Sequence, residues 1–366
     1  MAKIVIVGAG SGFGGRLSVD IMANPQLREG SIWLCDLNPG RLRKVYEYVQ
    51  RTVEKYELPT QVYATTDRCE ALPDADFVVT SIAVGGGAYW GFPFNAEMSI
   101  PREYGVDQSV ADTVSVGAVF RFLRTAPVHL QILRDVERLA PNALVLNHTN
   151  PMAMLTWVHH AATNVRNVGL CHGVQGTNGV LARRLGIPPK EIRYLCAGIN
   201  HLAWFLEYTH EGRDLYPEMR ALLDDPEKTK DEEVRFEILR HFGYFPTESN
   251  RHDSEYMPYF RRTEALREHY KLDSRELTDE PRIREWLKDT GADGEESLPV
   301  GDINRTSNEF TIHIMDAILS DIPYRFNGNV MNHGLISNLP DGCCVEVPCM
   351  TDSHGINPCH VGALPP

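Results

Sequence analysis

The chain lacks the features that would tie it to a membrane or to nucleic acid. None of its 366 residues falls in an uninterrupted apolar run of 18, which excludes a transmembrane helix. Lys and Arg number 36 against 49 Asp and Glu, a net charge of −13. There is thus no basic footprint for nucleic acid or an anionic lipid surface. The eight cysteines (35, 69, 171, 196, 343, 344, 349 and 359) include no CxxC pair. The opening residues 1–8 read as a strand rather than a signal peptide. The cysteines are therefore expected as reduced thiols, and the compartment as cytoplasmic. A Gly-x-Ser-x-Gly elbow is also missing, so a serine hydrolase has no support. Neither an internal repeat nor a low-complexity tract occurs. What remains is ordinary globular composition, 43% hydrophobic and 23% charged, long enough to build a core without disulfides.

The first half alternates strands and helices. Lys3-Ile4-Val5-Ile6-Val7 is a continuous apolar run, as expected of a parallel strand covered on both faces. A glycine-rich turn and a helix to about Met22 follow. Residues 31–35 form a second strand closed by Asp36, and Asn38 can cap a helix through about Tyr56. Strands are expected at 61–64, 77–82, 143–146 and 168–170, with helices at 114–139 and 151–162. This is an α/β pattern, a Rossmann-like doubly wound parallel sheet. After about residue 195 the rhythm changes. Antiparallel strands are expected at 194–197 and 202–208, helices near 215–223, 231–242 and 307–320, and an acidic exposed loop at 273–296. Two domains follow: residues 1–195 for a nucleotide and residues 196–366, α+β, for substrate and metal.

In a doubly wound sheet the ligand crevice lies beyond the carboxyl ends of the strands. The turn Gly8-Ala9-Gly10-Ser11-Gly12-Phe13-Gly14-Gly15 holds Gly10-x-Gly12-x-x-Gly15 and an earlier Gly8-x-Gly10. With a strand before, a helix after and Asp36 at the next strand end, the context is that of a dinucleotide site. Glycine lets the backbone approach a pyrophosphate on the helix N-terminus. Asp36 would accept from ribose hydroxyls, favouring NAD over NADP. Cys171-His172 follows another strand, and His201 sits at a turn. Thiolate and imidazole are good transition-metal ligands. Their spacing carries no local metal signature, and on spacing alone they read as a buried apolar cysteine and a satisfied polar histidine.

Longer strings carry a resemblance. Val168-Gly169-Leu170-Cys171-His172-Gly173-Val174-Gln175-Gly176-Thr177, then Cys196-Ala197-Gly198-Ile199-Asn200-His201, resemble the NAD- and manganese-dependent glycosidases of glycoside hydrolase family 4. Ala111-Asp112-Thr113, Asn147-His148-Thr149-Asn150-Pro151, Thr247-Glu248-Ser249, Ser254-Glu255-Tyr256 and Asn338-Leu339-Pro340-Asp341-Gly342 resemble its melibiase (α-galactosidase) branch. The likeness runs along essentially the whole chain.

The resemblance implies a lactate/malate dehydrogenase-like superfold and a role for each matched residue. Cys171 and His201 would hold a divalent metal, usually Mn²⁺. Gly8, Gly10, Ser11, Gly12 and Asp36 would hold NAD. Asn150 would contact the sugar, Tyr256 would be the base and Asp112 its acidic support. His172 would donate a proton to the leaving oxygen. The implied chemistry departs from the two-carboxylate scheme of most glycosidases: oxidation at C3, loss of the C2 proton, elimination, water addition and re-reduction. The expected partner is a small glycoside, and the chain is expected to form a homo-oligomer, a dimer or tetramer. Tyr259 is a rival for the base. Gly173 stands where melibiases typically carry Ser and resembles the α-glucuronidase branch; a uronate would need a cation, and Arg251, Arg261 and Arg262 are candidates. An α-galacturonidase or α-glucosidase of the same family, an NAD-dependent 2-hydroxy acid dehydrogenase and a catalytically inactive NAD-binding regulator stay open beside the α-galactosidase reading. Two departures stand out. Val114-Ser115-Val116-Gly117-Ala118 replaces the family's usual Gly-Pro-Gly-Gly turn. Relatives are also expected to continue with a helical segment beyond Pro366.

Overall fold

The computed structural model describes residues 1–85, 92–272 and 299–366; the expected acidic loop at 273–296 lies outside them. The first half contains β1 (Lys3–Val7), α1 (Gly12–Ala23), β2 (Ser31–Cys35), α2 (Pro39–Lys55), β3 (Gln61–Thr65), α3 (Arg68–Ala71), β4 (Phe77–Thr80), α4 (Phe94–Glu103), α5 (Val116–Leu139), β5 (Leu144–Asn147), α6 (Met152–Ala162) and β6 (Asn167–Gly169). Then come α7 (Gly173–Leu185), β7 (Ile192–Ile199), β8 (Leu202–His210), β9 (Arg213–Asp214), α8 (Tyr216–Ala221), α9 (Pro226–Thr229), α10 (Glu233–Phe242), β10 (Phe245–Pro246), α11 (Asn250–Tyr256) and α12 (Glu264–His269). The last stretch holds α13 (Phe310–Ser320), β11 (Tyr324–Met331), β12 (Cys344–Asp352) and β13 (Gly355–Pro358).

The strands form one sheet in the order β3-β2-β1-β4-β5-β6-β11-β12-β7-β8-β10, with β13 on β12 and β9 on β8. The first six are parallel throughout. Their order reverses between β1 and β4, the switch point where a doubly wound sheet opens its crevice. Beyond β6 the pairing becomes antiparallel, starting with Asn329 opposite Gly169.

The apolar runs bury on both faces, as a parallel sheet requires. Ile4, Ile6, Leu34 and Val79 face a core built with Leu17, Ile21 and Val45 from α1 and α2. Val5, Val78 and Val145 face the opposite core with Ile132, Leu133 and Val136 of α5. Helix α13 brings Phe310, Ile314 and Met315 to the first core beside Phe326 and Val345, so late elements complete an early layer. Asp20 of α1, nearly wholly buried, accepts from the Ser307 backbone and hydroxyl at 2.9 and 2.5 Å. A separate core of Val174, Leu181, Phe205, Tyr208, Met219 and Phe236 supports the antiparallel end.

Local signals explain most boundaries. Asn38 caps α2 by accepting from Arg41 N at 3.0 Å, a contact worth about 1 kcal/mol. Strands β11 and β12 carry no comparable signal: Asn327, Gly328 and Asn329 interrupt the first and Pro348 the second. The sheet gives several of their polar groups partners. Asn327 donates to Cys196 O at 2.8 Å and Asn329 to Gly169 O at 3.3 Å. Cys359 N donates to Pro348 O at 2.8 Å.

Candidate active site

The crevice at the switch point has a volume of about 880 Å³. The turn residues Gly8, Gly10, Ser11 and Gly12, with Asp36, line one end, and Thr149 and Asn150 the other. Helix α1 presents its N-terminus to this space, where the backbone dipoles favour an anion. Close backbone approaches are made at Gly8 and Gly14. Gly8 has φ +90, and a Cβ there would strike Ser81 O; one on Gly14 would strike the Ala9 backbone. Asp36 accepts from Gly10 N at 2.9 Å and Asn38 N at 2.8 Å, which holds the turn against the end of β2. The Ser11 hydroxyl caps α1, accepting from Gly14 N at 3.2 Å.

A buried polar pocket adjoins the far end of the crevice. Asn150 joins the two: it lines the crevice and donates to Asp112 Oδ2 at 3.2 Å. Asp112 Oδ1 lies 3.4 Å from His201 Nδ1 and 3.4 Å from His252 Nε2. Thr113 Oγ1 is also 3.1 Å from His201 Nδ1. With that nitrogen engaged, His201 Nε2 faces Glu248 Oε1 at 3.9 Å. Cys171 Sγ donates to the same Glu248 oxygen at 3.1 Å.

Charge within the pocket is uneven. Burial opposes ionisation of Asp112, but His201 and His252 hold its carboxyl well below the usual range. Burial likewise opposes charge on Glu248, yet His201, His252 and Cys171 keep it low. Although burial disfavours an imidazolium, pairing with Asp112 and the charges of Glu248 and Glu255 push His252 up to about 9. His252 is thus a resident cation between two carboxylates. Burial pushes the Cys171 thiol far up, with Glu248 and Glu346 adding. Glu346 is itself pushed up to about 8 by burial and by Glu248.

Two sets of side chains have cation-ligand geometry here: Cys171, His201 and Glu248, and Asp112, His201 and His252, each with its donor atoms within 4.8 Å of one another. The second set is internally neutralised by His252. The first joins a thiol, an imidazole nitrogen and a carboxylate near the buried acid Glu346, which fits a divalent cation. The Asp112–His201 contact is the outer-shell arrangement that orients a metal-binding imidazole.

The remaining candidates fall around this pocket. Tyr256, the last residue of α11, donates to Asn200 O at 3.2 Å, and burial pushes its phenol up. Tyr259 is 58% exposed and stacks edge-on with Phe260. His172 is largely exposed, with Nδ1 3.8 Å from Glu309. Arg261 pairs with Asp107 and donates to Ser254 Oγ. Ser115, in the turn that departs from the family pattern, has φ +146 and caps α5 by accepting from Ala118 N at 3.1 Å. A conformation suited to glycine is thus held here by serine, and Asp112 still faces His201.

Glu248 and His252 are the residues that sequence reasoning passed over. A cue existed: Thr247-Glu248-Ser249 precedes a helix, with His252 four residues after Glu248. Strain marks the same place. Ala111, His201 and Glu248 all have left-handed backbones, at φ 50, 64 and 73, a conformation that costs a non-glycine residue and clusters at functional sites.

Fold and site together define a nucleotide-crevice α/β enzyme with a cation pocket at the crevice's end. The family model for family 4 glycosyl hydrolases matches residues 3–187, and that for the family's C-terminal domain matches residues 196–366. The chain belongs to this family of glycoside hydrolases. It is 37% identical to an α-galactosidase of Bacillus subtilis (strain 168), over 100% of this chain and 84% of that protein. The solved structure of a putative glucosidase lplD from Bacillus subtilis aligns with TM-score 0.83 and 25% identity, over 100% of this chain and 87% of the other. A 6-phospho-α-glucosidase from gut microorganisms, solved in complex with NAD and Mn²⁺, shares the fold with TM-score 0.77 and 20% identity, over 99% of this chain and 84% of the other. Among the described residues no helix is long and apolar enough to cross a membrane.

Proposed function

We propose that this protein cleaves α-galactosides with NAD and a divalent metal, Mn²⁺ being the expected ion. The observation that carries this reading is Asn150, which links the nucleotide crevice to the Cys171–His201 pocket through Asp112. A plain 2-hydroxy acid dehydrogenase needs no such pocket. When bound, NAD supplies a hydride acceptor for C3 of the sugar, and the metal supplies Lewis-acid polarisation that acidifies C2–H and favours a nearby phenolate.

The chain's own residues do the rest. Gly8, Gly10, Gly12 and the α1 N-terminus receive the pyrophosphate, and Asp36 accepts from the ribose. Ser11 contributes through its cap of α1. Cys171 Sγ and His201 Nε2 bind the metal, and Asp112 keeps that imidazole oriented. Asn150 positions the sugar. Tyr256 Oη takes the C2 proton. His172, open to solvent at the start of α7, gives a proton to the leaving oxygen and lets the aglycone depart outward. Of the arginines considered for a uronate, Arg261 is already paired with Asp107, which favours a neutral sugar. The α-galactosidase relative points the same way.

The exposed apolar stripe Val116, Val119, Phe120 and Leu123 on α5 supports a homo-oligomer, which sedimentation would test. The charge balance and reduced thiols support a cytoplasmic setting. The deciding experiment is a panel of nitrophenyl α-glycosides hydrolysed in D₂O with NAD, Mn²⁺ and a thiol reductant. The galactoside should be preferred, with deuterium at C2 of the released sugar. A product without deuterium while NAD remains essential would overturn the route.

A further inference from the structure

We infer that Glu248 is a third protein ligand of the metal, and that Gly173 is the residue that admits it. The inference rests on the metal reading above and extends it from two side chains to three.

The backbone of Glu248 is clamped from both sides. Thr247 N donates to Ala203 O at 2.8 Å, and Ala203 N returns a bond to Thr247 Oγ1 at 3.0 Å. The Glu248 carbonyl accepts from Arg235 Nη1 and, at 3.3 Å, from Thr177 Oγ1. Arg235 is itself buried and held by Glu232 at 2.7 Å. These bonds hold Glu248 at φ +73 and aim its side chain at the start of α7. Its Oε1 lies 3.1 Å from Cys171 Sγ and 3.9 Å from His201 Nε2. Its Oε2 lies 3.6 Å from His252 Nδ1.

The carboxylate occupies space that any side chain at position 173 would take. A Cβ built on Gly173 would overlap Oε1 and lie 2.7 Å from Cδ of Glu248. Gly173 has no positive φ to explain it, so the missing Cβ itself is what the site uses. A Cβ there would therefore have to displace the carboxylate. The donor chemistry agrees. A thiolate and an imidazole alone suit soft ions, whereas a carboxylate brings in the harder ions such as Mn²⁺. The Cys171 proton now between sulfur and Oε1 would leave when the ion enters.

The test measures Mn²⁺ binding by the loss of free-ion EPR signal. It uses the wild-type chain and the Cys171→Ser, Glu248→Gln, Gly173→Ala and Glu248→Gln/Gly173→Ala variants. NAD affinity and thermal unfolding of each variant report folding. Wild type should bind Mn²⁺, Cys171→Ser should not, and Glu248→Gln and Gly173→Ala should each bind roughly 10–100-fold more weakly with NAD affinity unchanged, a loss of the size usual for metal-site substitutions. Because Gly173→Ala acts by displacing the carboxylate, the double variant should be no weaker than Glu248→Gln alone. Co²⁺ gives a second readout: its visible absorption should differ between wild type and Glu248→Gln, while the thiolate charge-transfer band persists in both. If Cys171→Ser loses the ion but Glu248→Gln binds it like wild type with an unchanged Co²⁺ spectrum, Glu248 is no ligand and only the two-residue site stands. If wild type itself binds neither ion, the metal reading falls, and this inference with it.

Discussion

The nucleotide crevice and the metal pocket meet at Asn150 but are built in opposite ways. Gly8, Gly10, Ser11, Gly12 and Asp36 all belong to one β–α–β unit, and local bonds such as Gly10 N to Asp36 shape them. The pocket draws Asp112, Cys171, His201, Glu248 and His252 from four separate segments. A locally built site has a backbone that survives loss of one side chain. An assembled site depends on each side chain, because each neutralises or orients the others.

The largest effect should come from the pocket. Cys171→Ser removes a soft ligand, and loss of Lewis-acid polarisation costs several kcal/mol, on the order of 10³-fold or more in turnover. Hydrolysis of a nitrophenyl α-galactoside should disappear while NAD still quenches tryptophan fluorescence. Full activity in metal-free buffer would remove the metal from the account. Tyr256→Phe should slow turnover by roughly 10²–10⁴-fold, the usual worth of a general base. Exposed Tyr259 should tolerate the same change; if it is instead the sensitive position, only the assignment of the base moves.

The crevice should fail more gently. Asp36→Asn keeps an acceptor for Gly10 N but weakens charge-assisted bonds to the ribose. Those bonds are worth about 1.5–3 kcal/mol, so NAD affinity should drop roughly 10–100-fold while activity at saturating NAD stays near wild type. A fall in activity that excess NAD cannot restore would mean the two regions are coupled more tightly than Asn150 implies.

The smallest effect concerns the layer behind both regions. His129 of α5 and His159 of α6 stack at 5.1 Å, fully buried. Burial, with the neighbouring His159, pushes His129 down to about 3. Burial, with His160, pushes His159 down to about 4. Unfolded histidine titrates near about 6.5. Below that pH the unfolded chain binds protons that the native pair refuses, so stability is full above about 6.5 and falls as pH drops towards the folded values. Each ring contributes a slope of at most about 1.4 kcal/mol per pH unit. Urea midpoints should decline from pH 7 to pH 5, and less steeply in His159→Gln. Equal slopes in the two proteins would show that this pair does not set the acid limit.

Much of the fold was legible because its rules are local. The run Lys3-Ile4-Val5-Ile6-Val7 gave a covered strand, and Asn38 gave a helix start. The antiparallel pair expected near 194–208 formed as β7 and β8. Strands β11 and β12 were not legible. Their Asn, Gly and Pro residues lower strand propensity, and partners from β6, β7 and β13, far off in sequence, make good the loss. In the site, the nucleotide turn was legible as a motif, though the close approach of Gly8 to Ser81 depended on where β4 came to lie.

By itself, the sequence determined the doubly wound first half, the glycine turn with its acidic partner, and, through its longer strings, the glycosidase family. Only the tertiary structure decided that Glu248 and His252 join Cys171, His201 and Asp112, that Tyr256 is half-buried while Tyr259 is exposed, and that Gly173 leaves room for a carboxylate. The physical reason is range. Strand, helix and turn preferences act between residues a few positions apart, whereas the pocket depends on sheet order and crossing points that bring distant segments within 4.8 Å.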